Sequence, residues 1–434
     1  MCINLRSIME IAALYDLYLQ HPNIQTDTRK LQPGELFFAL SGANFDGNAF
    51  AARALEMGAA YAIIDNPEFA AGDRYIVVHN ALDTLQQLAR HHRRQFNIPF
   101  IAITGSNGKT TTKELVAAVL KAKFTTYATE GNLNNHIGVP LTILKIRQDA
   151  EMAIIEMGAN HLHEIAGYCQ IAEPDFGIIT NCGRAHLEGF GSPEGVRKAK
   201  GELYDFIRSA GGSVFLNTDL DYLREMSQGV KNIITYGSAP ADYVGRAIED
   251  GVFLSLELEK PVVEKFTSQL VGGYNFPNVM AAIAVGLHFG VGVENIKSAI
   301  ASYSPGNSRS QFMVRGTNQI ILDAYNANPS SMREAISNFA QTIMPHKRLW
   351  LGGMKEMGAA EHKEHWELVH LISQYSWEQV ILVGNEFRDV AGSYLWFENS
   401  ASAAAFIQEN PVSGCSVLIK GSRGSKMEVM LEAL

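Results

Sequence analysis

Cysteine is scarce. Cys2, Cys169, Cys182 and Cys415 are the only four in 434 residues, without a C-x-x-C pair or regular spacing, which argues against a disulfide framework or a zinc site and for a reducing compartment, the cytoplasm. Positive charge is also short: 36 Lys plus Arg against 45 Asp plus Glu leave a formal net charge of −9. That is the wrong sign for coating nucleic acid or an anionic membrane, so an anionic substrate must be held by a local site. Long apolar runs are missing. The charge-free stretch 271–293 is interrupted by Asn275, Pro277, Asn278 and His288 and is too broken to span a bilayer. The opening MCINLRSIMEIAALYDLYL carries acids inside its apolar pattern and no small-residue cleavage signal, which predicts an amphipathic helix and not a signal peptide. Fixed-period repeats and low-complexity tracts are absent as well.

What is present is an ordinary globular composition, 47% hydrophobic with 38 Gly and 14 Pro, long enough for about three domains at roughly 150 residues each. Short apolar runs at LFFAL, AYAIIDN and YIVVHN mark an α/β unit over residues 1–95. The helical pattern LDTLQQLARHHRRQF closes it, and the basic cluster His91–Arg94 reads as a solvated helix end. Strand-like PFIAIT, MAIIEM, DFGIITN and GSVFLN, separated by helix-length segments, predict a parallel sheet over 96–304, with the alternating VFLSLE as an antiparallel addition. After Pro305-Gly306, QIILDAYN, RLWLGGM, QVILVGN and SVLIKGS predict a Rossmann-like third domain over 305–434.

The strongest chemical signal is ITGSNGKTTTKE, residues 103–114, directly after a strand and before a helix. Gly105 and Gly108 let backbone N–H groups turn toward phosphate oxygens, Lys109 reaches the β and γ phosphates, and Thr110 is placed to ligate Mg²⁺; Ser106, Asn107 and Thr111 complete the loop. ATP is the implied ligand. Ile103 stands where the general pattern has its first Gly, so this is a shortened G-x-x-G-K-T form. No N-K-x-D element is present to read guanine. Glu156 ends MAIIEM and His186 follows DFGIITN, and ligands of open parallel sheets gather at such carboxyl edges. Either residue is placed for metal binding or for a solvated turn.

Six segments in order, TGSNGKTTTKE, GNLNNHIGVPLTIL, EMGANHLHEI, RAHLEGFGSPEGVRKAKGEL, GYNFPNVMAA and LDAYNANPSSM, make the chain resemble the Mur ligases, ATP-dependent amide-forming enzymes of peptidoglycan precursor synthesis. The resemblance spans essentially the whole chain. It implies an α/β fold of three domains: an N-terminal domain for the UDP-sugar peptide, a central P-loop parallel sheet for ATP, and a Rossmann-like C-terminal domain. GNLNNHIGVPLTIL resembles the branch that adds D-alanyl-D-alanine to UDP-N-acetylmuramoyl-tripeptide, so those two partners, ATP and Mg²⁺ are the implied ligands. A monomer is expected, with neither nucleic-acid binding nor membrane insertion.

Carried over residue by residue, the resemblance makes Lys109, Glu156, His186 and Lys200 catalytic, with Thr110, Glu156, His186 and a carbamylated Lys200 as metal ligands. Spacing alone does not separate Lys200 from Arg197 and Lys198, any of which suits a solvated helix face. Asn275 and Asn278 are assigned to the adenine, with helix capping as the alternative. Arg309 and Asp323 would reach ATP from the third domain. Asp27, Thr28, Arg29, Asn134, Asn135, Tyr325, Asn326 and Asn328 would line the substrate cleft. Asn48 stands where the family often has His, and Gly353 where an acid is common. Lys420, Arg423 and Lys426 read as an anion-binding loop or as a solvated basic turn. The ligase that adds the third amino acid is the nearest rival, but its D-N-P-R element is missing here; folate-tailoring ligases usually lack the first domain. A catalytically silent nucleotide-binding scaffold is the rival of another class.

Overall fold

A computed structural model describes residues 9–238, 240–248, 251–306 and 308–434. The chain divides into two compact units, one of residues up to Ala102, Phe124–Ala159 and His163–Phe176, the other of Ile103–Lys123, Asn160–Leu162 and Gly177–Leu434.

In the first unit, β1 (Ile24–Gln25), β2 (Leu36–Phe38), β3 (Tyr61–Ile64) and β4 (Tyr75–Val77) form a parallel sheet in that order. Its core includes Phe37, Ala62, Ile64 and Leu55. Of the expected N-terminal helix, Ile11–Gln20 is helical, while Met1–Ile8 lie outside the described residues. The same unit holds the start of β5 (Phe100–Thr104), with β6 (Thr126–Ala128) parallel to β7 (Met152–Glu156) and β7 beside β5, where the Ala153 N–H donates to the Pro99 carbonyl.

The basic end of the helix Ala81–Arg93 is not the solvated cluster that its sequence predicts. His92 is 3% exposed and Arg93 8%. Arg93 donates to the Ala172 carbonyl (2.9 Å) and the Glu173 carbonyl (2.9 Å), supplying protons to the last carbonyls of the helix Glu164–Ala172, which have no partners within their own helix. The His92 Nδ1 faces the Tyr15 hydroxyl at 3.0 Å and its Nε2 faces the Ile146 carbonyl at 2.9 Å. Burial pushes the pKa of this imidazole down to about 4.

In the second unit the end of β5 lies beside β8 (Phe176–Ile179), where the Thr180 N–H donates to the Thr104 carbonyl at 2.9 Å. Beyond β8 come β9 (Ser213–Asn217), β10 (Asn232–Gly237) and β11 (Tyr243–Ile248), then β12 (Phe253–Lys260) and β13 (Glu264–Val271). β12 is antiparallel to both of its neighbours, as the alternation in VFLSLE predicts. All five residues of β5 are buried, which is why FIAIT reads as an unbroken apolar run.

The remaining sheet runs β14 (Gln311–Arg315), β15 (Asn318–Asp323), β19 (Ser416–Lys420), β16 (Lys347–Gly352), β17 (Gln379–Val383), β18 (Leu395–Phe397). Only β14 is antiparallel to its neighbour. Leu349 and Leu351 pack into the core on one face and Trp350 into the core on the other, the period of two that a strand imposes. Because β19 inserts between β15 and β16, the loops leaving all three strands share one carboxyl edge, the place where parallel sheets hold ligands.

Candidate active site

The phosphate loop of the second unit runs from β5 into the helix Lys109–Lys121. Gly105 and Gly108 have φ of 145° and 78°, conformations that disfavour a side chain. Space closes the same door: a Cβ on Gly105 would lie 2.0 Å from Thr180 Oγ1, and one on Gly108 2.5 Å from Asn278 Oδ1. The segment after β8 braces the loop. Ser106 N–H donates to the Asn181 carbonyl (2.9 Å), Asn107 N–H to Asn181 Oδ1 (3.0 Å), and the Thr180 hydroxyl to the Asn107 carbonyl (2.5 Å). Sequence reading missed Thr180 and Asn181, whose only signal is their place just past a strand end. Lys109 Nζ donates to the Gly105 and Ser106 carbonyls at 2.5 and 3.2 Å. Thr110 is buried in the first helical turn and Thr111 half-buried.

Two more expected residues converge in this unit. His186, left-handed at φ 51°, pairs through Nδ1 with the carboxylate of Glu356, itself left-handed at φ 62°. Burial pushes the His186 pKa down, the Glu356 carboxylate opposes that, and Lys109 and Lys200 lower it further, so the imidazole is held toward its neutral form. Glu356, on the loop after β16, was not anticipated. Lys200 is 1% exposed, with its ammonium 5.2 Å from the centre of the Phe190 ring. Arg197 and Lys198 are exposed, so burial singles out Lys200 where spacing does not.

Asn275 makes no side-chain cap of the helix Phe276–His288; the capping alternative fails because its amide turns back to the Val271 carbonyl at 2.9 Å. Asn278 donates to Asn275 Oδ1 (2.9 Å) and accepts from the Thr112 hydroxyl (3.1 Å), placing its amide against the phosphate loop. The Arg309 guanidinium stacks 3.6 Å above the Tyr325 ring. Asp323 accepts from Lys420 Nζ at 2.5 Å, and Lys420 is 2% exposed. Lys420 is therefore a buried ion-pair partner and not part of a solvated turn, whereas Arg423 and Lys426 are exposed.

The carboxyl edge of the six-stranded sheet docks on the loop. Asn328 caps the helix Pro329–Gln341 in a reciprocal box with Ser331 and donates to Asn107 Oδ1 at 2.7 Å. Arg184 N–H donates to the Ser330 hydroxyl at 3.0 Å, and its guanidinium pairs with Glu364 at 2.8 Å. A cavity of about 110 Å³ lies there, lined by His186, Asn326, Asn328, Lys355, Glu356 and Arg423 among others.

The first unit holds the other expected residues. Glu156 is 1% exposed at the end of β7 and accepts from Asn134 Nδ2 at 2.7 Å. Asn135 Oδ1 accepts from the Ile137 and Gly138 N–H groups at 3.1 and 2.8 Å, just ahead of the helix Gly138–Leu144. Arg29 pairs with Asp27 at 2.7 Å and holds that carboxyl down at about 2; Thr28 between them is half-buried. Asn48 is 3% exposed and bonds Asp46 (2.7 Å) and Asp65 (2.8 Å), so it acts here as a pin of the local fold. Among the described residues no helix is long and apolar enough to cross a membrane.

Residues 22–93 match the family model described as Mur ligase family, catalytic domain, residues 103–286 the Mur ligase middle domain, and residues 308–423 the Mur ligase, glutamate ligase domain. The UDP-N-acetylmuramoyl-tripeptide–D-alanyl-D-alanine ligase of Bacillus subtilis is 32% identical over 99% of this chain and 98% of its own. That of Escherichia coli is 33% identical over 95% and 93%. Among solved structures, MurF from Acinetobacter baumannii superposes with a TM-score of 0.86 at 30% identity over 94% of this chain and 92% of that one. MurF from Thermotoga maritima in complex with ADP gives 0.86 at 28% identity, covering 96% and 97%.

Proposed function

The chain belongs to the Mur ligase family, and from that premise we propose how its own residues carry the reaction. It is an ATP-dependent carboxylate–amine ligase of peptidoglycan precursor synthesis, joining D-alanyl-D-alanine to UDP-N-acetylmuramoyl-tripeptide through an acyl phosphate to give the pentapeptide, ADP and phosphate.

The observation that carries the assignment of roles is the phosphate loop tied by Asn107 to Asn328. A carboxylate is a poor electrophile, so the γ-phosphoryl group is first transferred to a carboxylate oxygen as the bond to ADP breaks. The amine of the dipeptide then attacks the carbonyl carbon, phosphate leaves with its bridging oxygen, and the amine sheds a proton. Lys109 and the loop N–H groups offset charge on the moving phosphoryl group, and positioning supplies much of the rest. Asn275, Asn278, Arg309 and Asp323 hold the nucleotide. Tyr325, Asn326 and Asn328 line the reacting cleft, and Asp27, Thr28, Arg29, Asn134 and Asn135 receive the UDP-linked peptide.

In the second unit the Thr110 hydroxyl and the His186 imidazole, held toward its neutral form, are donors that suit a divalent cation, and family membership gives the Glu156 carboxylate a metal-binding role as well. Lys200 joins them only as a carbamate, formed when its neutral amine adds CO₂ and loses a proton. Bound Mg²⁺ would supply further neutralisation of phosphate oxygens. We assign residues 1–95, 96–304 and 305–434 as the peptide-binding, ATP-binding and C-terminal domains of a cytoplasmic monomer.

Release of ADP measured with each substrate omitted tests the reading. Ligation predicts that ADP formation needs both the tripeptide nucleotide and the dipeptide, with a product of pentapeptide mass. ADP formed equally fast without the dipeptide, and no such product, refutes it.

A further inference from the structure

The loops after β16 and β17 leave neighbouring parallel strands, and they place Lys355 beside Glu386. The two form an ion pair in which Glu386 is 7% exposed and Lys355 53%. The backbone is shaped around that carboxylate: a Cβ on Gly353 would stand 2.5 Å from Glu386 Oε2, and one on Gly384 2.4 Å from it. Both strand ends thus carry glycine where the carboxylate nests. Lys355 also runs along the turn after β19, its Cε 3.9 Å from where a Cβ of Gly424 would be, next to Arg423.

Lys355 and Arg423 line the same cavity as the His186–Glu356 pair and Asn328. Asn328 is bonded to the phosphate loop, so the cavity has a reacting end and, at residues 423–424, a cationic end. A zwitterionic dipeptide, about 7 Å from amine to carboxylate when extended, matches that polarity with its amine toward the loop. We propose that Lys355 binds the free carboxylate of the incoming dipeptide and that Glu386 is the positioning residue that holds Lys355 for it; this rests on the ligase reading above. An ammonium has three donors and no acceptor, so holding Glu386 leaves Lys355 able to donate to a second carboxylate.

The test compares D-alanyl-D-alanine with its C-terminal amide, which keeps the amine and removes the charge. The wild-type enzyme is expected to favour the acid by roughly tenfold in KM, the scale of one charge-assisted hydrogen bond. Lys355→Met should abolish that preference with the KM for ATP unchanged, and Lys355→Arg should retain most of it. Glu386→Gln should raise the KM for the acid several-fold and leave that for the amide alone, a selectivity that general loosening of the fold does not produce. Persistence of the preference in Lys355→Met, or an equal rise of both KM values in Glu386→Gln, overturns the proposal. ADP release by the wild type that neither dipeptide stimulates takes down the ligase reading itself, and the proposal with it.

Discussion

Asn328 donates from its side-chain amide to the side-chain oxygen of Asn107 across 2.7 Å, so the residue that starts one helix also steadies the phosphate loop. Asn328→Ser separates the two duties. Serine keeps the N-cap, so thermal stability should stay within about 0.5 kcal/mol, but it is too short to reach Asn107. A fall of roughly tenfold in kcat is expected, and unchanged kcat at unchanged stability would break the link between this hydrogen bond and turnover.

Gly108→Ala puts a methyl group 2.5 Å from Asn278 Oδ1 at a φ of 78°. The backbone must move away from the conformation that aims its N–H groups. Calorimetric titration of the folded variant with ATP and magnesium should show affinity reduced by two orders of magnitude or more, about 3 kcal/mol. Binding at the wild-type level would mean that the loop is not the nucleotide site.

Lys200→Arg keeps a positive charge but removes the amine that can add CO₂. At a position 1% exposed the larger guanidinium is also a packing test, so near-UV circular dichroism should accompany the assay. Ligation is expected to drop more than about a hundredfold, whereas Lys198→Arg, on the exposed side of the same helix, should leave it intact. Growth in ¹³C-bicarbonate should label the wild-type protein at this lysine and not the variant.

His92 sets a pH dependence in the first unit. Its pKa is lowered from 6.5 to about 4 in the folded chain, so between those values the unfolded chain binds a proton that the folded chain does not. Stability from this residue is therefore complete above about pH 6.5 and is lost as pH falls toward 4, by roughly 3 kcal/mol in all. Urea midpoints for His92→Gln should fall less steeply than those of the wild type between pH 6.5 and 5; parallel curves would remove His92 from the account.

The phosphate loop was legible in the sequence because strand, glycines, lysine and helix are contiguous, and each imposes a local physical requirement. Buried strands such as FIAIT and SVLIK announced themselves as short apolar runs rich in β-branched residues. Short or edge strands such as Thr126–Ala128 and Leu395–Phe397 did not, since they carry no period of their own. The partners of the expected residues were hidden for a different reason. Glu356 meets His186 across 170 positions, and Thr180 braces Asn107 across 73. Such pairings exist only after the sheets are assembled. The basic run at His91–Arg94 shows the converse error, because charge density suggested water where the carbonyls ending another helix needed donors.

Arg184 and His186 are fastened to the helices and loops of the six-stranded sheet at Ser330, Glu364 and Glu356 within three consecutive positions. The length of this stretch is therefore as constrained as its identity. One residue inserted or deleted there would put every anchor out of register together, whereas the turn between β12 and β13, residues 261–263, is exposed at all three positions. Natural variation in chain length should avoid the first stretch and accumulate at hairpin tips of the second kind.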